Sequence, residues 1–187
     1  EKKLKQKREQ QEQATREKMG GNEDLPNHGI PPRPADAGYP LSAGQERLYM
    51  LAQFTPDATT YNISEAVRLC GKLEISALTE SVNQLIARHE SLRAVFSDVD
   101  GHVVQSIRPF ASEELAVIQL DGEEDIDAQL AIAQKKPFHL DQGPLYRFSL
   151  FTVNENEHIL LLTIHHIIAD AWSFGVRFLE IRSRYEA

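Results

Sequence analysis

A pair of histidines lies where an apolar segment of the chain leads into a predicted helix. The residues run His165-His166-Ile167-Ile168-Ala169-Asp170-Ala171-Trp172-Ser173. Histidine suits proton transfer because its ordinary pKa lies near neutrality, and an aspartate four residues further on could orient the loop. Neighbouring residues of a strand point to opposite faces, so only one imidazole can face a given cavity and a shared metal site is not expected. The pair alone fits two core histidines with satisfied hydrogen bonds at least as well.

Two further clusters carry polar side chains on predicted helices. The segment 88–93, RHESLR, ends one helix, where cations are ordinary because they complement the helix dipole. The segment 42–51 begins another helix, and its Ser42 and Gln45 have the spacing of a capping box. Each cluster by itself predicts only a well-formed helix.

Other catalytic signatures are missing from the sequence. It contains no G-x-S-x-G elbow, phosphate-binding P-loop, G-x-G-x-x-G or H-E-x-x-H, which removes the usual marks of serine hydrolases, P-loop NTPases, Rossmann dehydrogenases and zincins. The single cysteine, Cys70, lies in a predicted strand and is expected to be a small core residue rather than a nucleophile.

Taken together, the three clusters resemble the condensation domains of nonribosomal peptide synthetases. The segment 41–51, LSAGQERLYML, is similar to the first core motif of that family, S-x-A-Q-x-R-L/M-W/Y-x-L. The segment 88–96, RHESLRAVF, resembles the second motif, R-H-E-x-L-R-T-x-F, and HHIIADAWS at 165–173 resembles the third, H-H-x-x-x-D-G with a Trp-Ser tail. The motifs occur in the order of the family, and the resemblance covers about residues 30–187.

The resemblance implies a fold and a set of roles. The expected fold is one lobe of the chloramphenicol acetyltransferase-like fold, in which two similar lobes form a V with the active site at their junction. His166 would be the active-site histidine, which positions or deprotonates an acceptor amine as it attacks a donor thioester, and His165 would support it. Asp170 would be structural and paired with an arginine of the second motif, Arg93 as first choice and Arg88 as second.

The sequence departs from the family pattern at three positions. Gly44 replaces an alanine, Ala94 replaces a threonine, and Ala171 replaces the glycine after Asp170. The third departure matters most, because glycine permits a close backbone approach or a positive φ that alanine resists. Ala171 could therefore narrow the acceptor side of the site or alter the loop before Trp172 and Ser173.

The resemblance also implies partners and leaves alternatives open. Donor and acceptor carrier proteins would present their substrates on phosphopantetheine arms, and the lobe itself would bind no cofactor and no metal. A C-terminal lobe would complete the site, so this lobe alone is expected to be inactive. The alternatives are a CoA-dependent acyltransferase of the same fold and a non-catalytic docking module of a synthetase.

The elements that position these clusters alternate between helix and strand, which predicts an α/β lobe with a mixed sheet flanked by helices. Asp100-Gly101 is a strong signal for a tight hairpin turn, and the strand before Asp170 is apolar on both faces, which is typical of a central strand. Ser173 is expected to cap the last helix. The predicted helices cover 42–53, 75–90, 126–136 and the residues after Ser173, and the predicted strands cover 61–70, 92–97, 102–107, 115–120, 145–153 and 158–168.

The composition limits the partners and the cellular setting that are expected for this chain. The 187 residues carry a formal net charge of −8, which gives no support for nucleic-acid binding, and no segment reads as a signal peptide or a membrane span. One cysteine makes a reducing, cytoplasmic setting the default. Residues 1–38 combine a basic run with many prolines and glycines and are predicted to be a linker, or a segment that docks an upstream partner through residues 1–30. The lobe is expected to occupy 39–187.

Overall fold

A computed structural model describes residues 38–120 and 126–186 of the chain, all within one compact unit. Its helices and strands follow the predicted order. The strands are β1 (Tyr39–Pro40), β2 (Asn62–Cys70), β3 (Ala94–Val99), β4 (His102–Ile107), β5 (Ala116–Gln119), β6 (Tyr146–Asn154) and β7 (Glu157–His165). The helices are α1 (Ala43–Phe54), α2 (Ile75–Arg88), α3 (Ile126–Gln134) and α4 (Ala171–Tyr185), with a short 3-10 helix at Glu90–Arg93.

The main sheet has four strands in the order β2-β7-β6-β5. β7 pairs antiparallel with both β2 and β6, whereas β5 pairs parallel with β6, so the sheet is mixed as predicted. The central place of β7 explains why its residues are apolar on both faces: helices cover one face and α3 covers part of the other. β7 ends at His165, three residues earlier than its apolar pattern indicates.

A second, antiparallel sheet of order β1-β4-β3 was not separated from the first by the sequence. Asp100 and Gly101 turn the β3–β4 hairpin with φ values of 54° and 80°, and both residue types tolerate this left-handed conformation. β3 begins at Ala94 rather than Leu92, because residues 90–93 form the 3-10 helix instead of extending the strand.

Apolar side chains fill both faces of the main sheet. One face packs against α2 and α4, with Leu85, Leu92, Phe96 and Leu162 all fully buried there. The other face forms a smaller cluster against α3, centred on Phe151. β7 is buried on both faces along almost its whole length, so close packing restricts it from both sides. His165 is the last residue of this strand.

One prediction about the core is wrong. Cys70 is exposed at the end of β2, an edge strand in which Val67 and Leu69 pack against the core while the alternate residues Arg68 and Cys70 are exposed. Within the described residues, none of the helices has the length and apolar character needed to cross a bilayer.

Candidate active site

The two histidines of the pair lie in different surroundings. The backbone N–H of His165 donates to the Leu145 carbonyl at 2.9 Å, and that of His166 donates to the Tyr61 carbonyl at 2.8 Å. These bonds continue the β7 pairing on both sides and fix where the strand ends. His165 is buried, at 4% exposure, whereas His166 turns outward and is exposed. The structure therefore separates the two imidazoles, as the alternation along a strand predicts.

The imidazole of His166 is held by its own loop. Its Nδ1 lies 2.6 Å from the carbonyl oxygen of Ala169. A carbonyl oxygen can only accept a hydrogen bond, so Nδ1 carries the proton, and in the neutral ring Nε2 keeps its lone pair. The residues after β7 thus hold one nitrogen of an exposed imidazole and leave the other free to accept a proton.

His165 is the buried partner of this arrangement. Its Nδ1 accepts the backbone N–H of Ile167 at 3.2 Å, which places the ring proton on Nε2. Burial, with a smaller contribution from the charge of His166, lowers the pKa of His165 to about 4. The ring therefore stays neutral near pH 7, and it shapes the turn after β7 instead of moving protons.

Asp170 begins α4 as its N-cap residue. The Oδ1 atom accepts the backbone N–H of Ser173 at 3.0 Å and its hydroxyl at 2.7 Å, and these bonds hold the pKa of Asp170 below its usual value. The expectation that Ser173 caps the helix is wrong, because Ser173 is the third helical residue and completes a capping box with Asp170. Asp170 thereby fixes the start of α4 directly after the Ala169 carbonyl that holds His166.

The first cluster reaches the histidine loop through Gln45. Ser42 and Gln45 form the predicted capping box of α1, with the Gln45 Oε1 atom accepting the Ser42 N–H at 2.9 Å. The same side chain donates through Nε2 toward the Ile167 carbonyl at 3.4 Å and to Gln105 Oε1 at 3.1 Å. The sequence predicts Gln45 as a helix cap only, and its place in the first motif is the signal that points to this second contact.

The second cluster does not contact Asp170, which corrects the expected pairing. Arg93 donates to the carbonyl oxygens of Ile86, Ala87 and Arg108 at 3.3, 3.3 and 2.7 Å, and so ties the end of α2 to the residue after β4. Two of these acceptors lie on α2 and the third follows β4, which the β3–β4 hairpin brings back to Arg93, so the local sequence does not show this contact.

Arg88 also has another partner, since it lies 3.4 Å from Glu180 of α4. His89 Nε2 contacts the same carboxylate at 2.6 Å, and Arg184 contacts it at 2.7 Å. Residues of the second cluster thus contact the middle of α4, the helix that Asp170 begins, and not Asp170 itself.

Comparison with known proteins identifies the family. A family model described as "Condensation domain" matches residues 36–187. The chain belongs to the condensation-domain family. One of the linear gramicidin synthase proteins of Brevibacillus parabrevis is 39% identical over 183 residues, a match that covers 94% of this chain and 2% of that synthase protein. The chain thus spans a small part of the synthase that it matches.

Two solved structures share the fold. The X-domain from teicoplanin biosynthesis, determined in a complex with OxyB, matches with a TM-score of 0.75 and 34% identity over 83% of this chain and 33% of that chain. A mutant starter condensation domain of rhizomide synthetase, determined with C8-CoA, matches with a TM-score of 0.73 and 25% identity over 80% of this chain and 35% of that chain. Both matches cover about one third of the solved chain, so this chain corresponds to part of each of those structures.

The residue that departs most from the family's third motif, Ala171, fits its place without strain. It is exposed at the first position of α4, and Asp100 is the only non-glycine residue with a positive φ in the described part of the chain. The backbone therefore needs no glycine here. Trp172, the next residue, is 83% exposed and points away from the lobe.

We therefore expect Ala171→Gly to leave the condensation rate of a complete domain within about threefold of the wild-type rate, since the exchange alters helix stability by at most about 1 kcal/mol. The measurement is product formation from loaded carrier proteins, with Ala171→Ser as a variant of similar size. A gain of about tenfold or more in the glycine variant would mean that the methyl group obstructs the site.

Proposed function

We propose that this chain is the N-terminal lobe of a condensation domain that forms an amide bond between a carrier-bound donor acyl thioester and a carrier-bound acceptor amine. The observation that carries the proposal is the geometry of His166. Its Nδ1 is committed to the Ala169 carbonyl, and its Nε2 lone pair lies on an exposed ring at the end of the best-buried strand. Such a group can accept a proton from an amine that comes to it from outside the lobe.

The reaction moves one proton from the amine nitrogen to the departing sulfur, and Nε2 of His166 can relay that proton in two transfers. The acceptor amine nitrogen attacks the carbonyl carbon of the thioester, the C–N bond forms, and the C–S bond then breaks to release a thiolate. The proton lost by the amine passes to Nε2 of His166 and from there to the departing sulfur, so the ring returns to its starting state. Phosphopantetheine arms of the carrier proteins would supply the thioester sulfur atoms.

A second lobe is expected to cover the outer face of α4. Trp172, Val176 and Leu179 are exposed apolar residues at 83%, 49% and 68%, and their spacing puts them on one side of the helix. The helix begins next to the histidine loop, so a lobe on this face would close the site around His166. The solved relatives support this occupant, because about two thirds of their length lies outside the part matched here.

The lobe alone is therefore predicted to be inactive, because half of the environment around the reacting carbonyl is absent. The test compares the 187-residue chain with a complete domain containing it, using loaded donor and acceptor carriers and intact-mass detection of the condensed product. Product with the complete domain and none with the lobe is the expected result. Turnover by the lobe at a comparable rate would contradict the prediction.

The same complete domain and loaded carrier proteins also test two alternative functions. A non-catalytic docking role is favoured by the similarity to the X-domain, whose structure was determined in a complex with OxyB. A CoA-dependent acyltransferase is favoured by the starter domain determined with C8-CoA. Absence of product despite carrier binding would support docking, and transfer from free acyl-CoA without donor carrier would support the acyltransferase.

The basic N-terminal run is a separate proposal, and residues 1–30 lie outside the described residues. The run holds seven basic and four acidic residues within 1–18. Carrier proteins are often acidic, so electrostatic attraction could bring an upstream carrier to this segment. Removal of residues 1–30 with unchanged carrier affinity would leave the segment as a tether only.

A further inference from the structure

Gln45 is a side chain of α1 whose hydrogen bonds join three separate parts of the lobe. Its Oε1 atom accepts the backbone N–H of Ser42 at 2.9 Å, and its Nε2 atom donates to Gln105 Oε1 at 3.1 Å and to the carbonyl oxygen of Ile167 at 3.4 Å. A glutamine amide offers one oxygen and two N–H protons, so these contacts use both ends of the group. The side chain therefore connects the start of α1 to β4 and to the loop after β7.

The partners of Gln45 fix the direction in which its amide points. Both groups near Nε2 are acceptors, namely the Ile167 carbonyl and Gln105 Oε1, whereas the group near Oε1 is the N–H donor of Ser42. A half-turn of the amide would place oxygen against two oxygens and an NH2 group against an N–H. The side chain is also partly buried, where water competes less for such bonds. Gln45 thus presents an oriented donor to the loop.

The Ile167 carbonyl belongs to the central peptide of the histidine loop, residues 165–170. This peptide is held at both of its polar atoms, because its carbonyl oxygen accepts from Gln45 and its N–H, on Ile168, donates to the His165 carbonyl at 3.1 Å. The other backbone ties of the loop described above lie at its two ends, in the β7 pairing and at the N-cap of α4. Gln45 adds a tie at the middle of the loop from another element.

We propose that Gln45 is a positioning residue that holds the histidine loop so that Nε2 of His166 is presented to the acceptor amine. This inference rests on the proposed function, because the position of the loop matters to the reaction only if His166 accepts the amine proton. His166 directly precedes Ile167, and its Nδ1 is held by the carbonyl of Ala169, two residues beyond. Rotation of the central peptide would disturb both sides of that bond, and a shift of about 1 Å at a reacting group can cost about 10²-fold in rate.

The decisive variant is Gln45→Glu in the complete domain. Glutamate keeps the length of the side chain and an oxygen for the Ser42 N–H, so the capping box can still form. It replaces the Nε2 donor with a second oxygen, which the Ile167 carbonyl and Gln105 Oε1 both repel. We expect kcat for condensation to fall about tenfold while KM for the carrier proteins stays within about twofold, because the lost contact orients His166 and does not bind substrate.

Hydrogen–deuterium exchange of the complete domain gives a second measurement that does not depend on turnover. The backbone N–H groups of His166 and Ile168 are both hydrogen-bonded, and we expect Gln45→Glu to speed their exchange about tenfold. Gln53→Glu is the matched control, because Gln53 is an exposed glutamine of the same helix and undergoes the same chemical change. Ser42→Ala is the control for the helix cap, since it removes the hydroxyl bound by the Gln45 N–H and leaves both Nε2 contacts. Both controls should keep the wild-type kcat and loop exchange.

The assignment is overturned if Gln45→Glu leaves either kcat or the exchange of the loop at the wild-type value, or if either control loses as much as Gln45→Glu. A rise in KM with kcat unchanged would also reject it, because substrate binding and not positioning would then be lost. If the wild-type domain forms no product, the proposed function fails, and the exchange of the loop alone decides whether Gln45 holds it. If Gln45→Glu does not fold, Gln105→Met decides by the same measurements, because it removes an acceptor that orients the Gln45 amide.

Discussion

His166→Ala is expected to reduce the condensation rate of the complete domain by about 10²- to 10⁴-fold, the range lost when a positioned acid–base group is removed. The reason is the state of the ring. Nδ1 is bound to the Ala169 carbonyl at 2.6 Å, so Nε2 is the ring nitrogen that is available to accept a proton in the proposed reaction. Alanine removes that acceptor and the hydrogen bond to Ala169, whereas the Asp170–Ser173 capping box that begins α4 remains, and the effect should therefore appear in kcat.

The measurement uses loaded donor and acceptor carriers and intact-mass detection of the condensed product. His102→Ala is the matched control, because His102 is an exposed histidine at the start of β4, away from the histidine loop. The control should react at the wild-type rate. A His166→Ala domain that keeps its rate within about threefold would reject acid–base catalysis by this residue.

Local patterns accounted for most of the fold. The capping box at Ser42 and Gln45, the hairpin turn at Asp100-Gly101 and the central position of β7 all follow from residues close together in sequence, and the structure confirms each. The difference between the two histidines also agrees with strand alternation, although His166 lies just after β7, because its backbone N–H continues the strand pairing to the Tyr61 carbonyl.

The sequence-based predictions that were wrong depend on contacts between segments that are distant in the sequence. Cys70 has the residue type and neighbours of a core strand, yet β2 lies at the sheet edge, and sequence does not show which strand is outermost. The resemblance predicts an arginine of the second motif as the partner of Asp170, but Arg93 donates to the carbonyl oxygens of Ile86 and Arg108 instead. A buried arginine such as Arg177 resembles a surface cation in sequence, since only packing reveals that its Nη1 is enclosed.

The strand that carries the histidines should also be the most sensitive to loss of packing. Leu162 lies in the centre of β7, is fully buried, and is paired with Glu65 of β2 on one side and Phe148 of β6 on the other. Neighbouring strands on both sides prevent the backbone from collapsing into a space left by a smaller residue. Removal of this side chain therefore leaves a cavity in addition to the lost burial.

We expect Leu162→Ala to lower the free energy of unfolding by about 2 to 5 kcal/mol. The measurement is urea unfolding of the chain followed by far-UV circular dichroism. Ile132→Ala is the matched control, because Ile132 is 60% exposed on α3 and its truncation should change stability by no more than about 0.5 kcal/mol. A loss at Leu162 as small as that of the control would mean that β7 is not the buried centre of the lobe. The position of His166 at its end would then need another explanation.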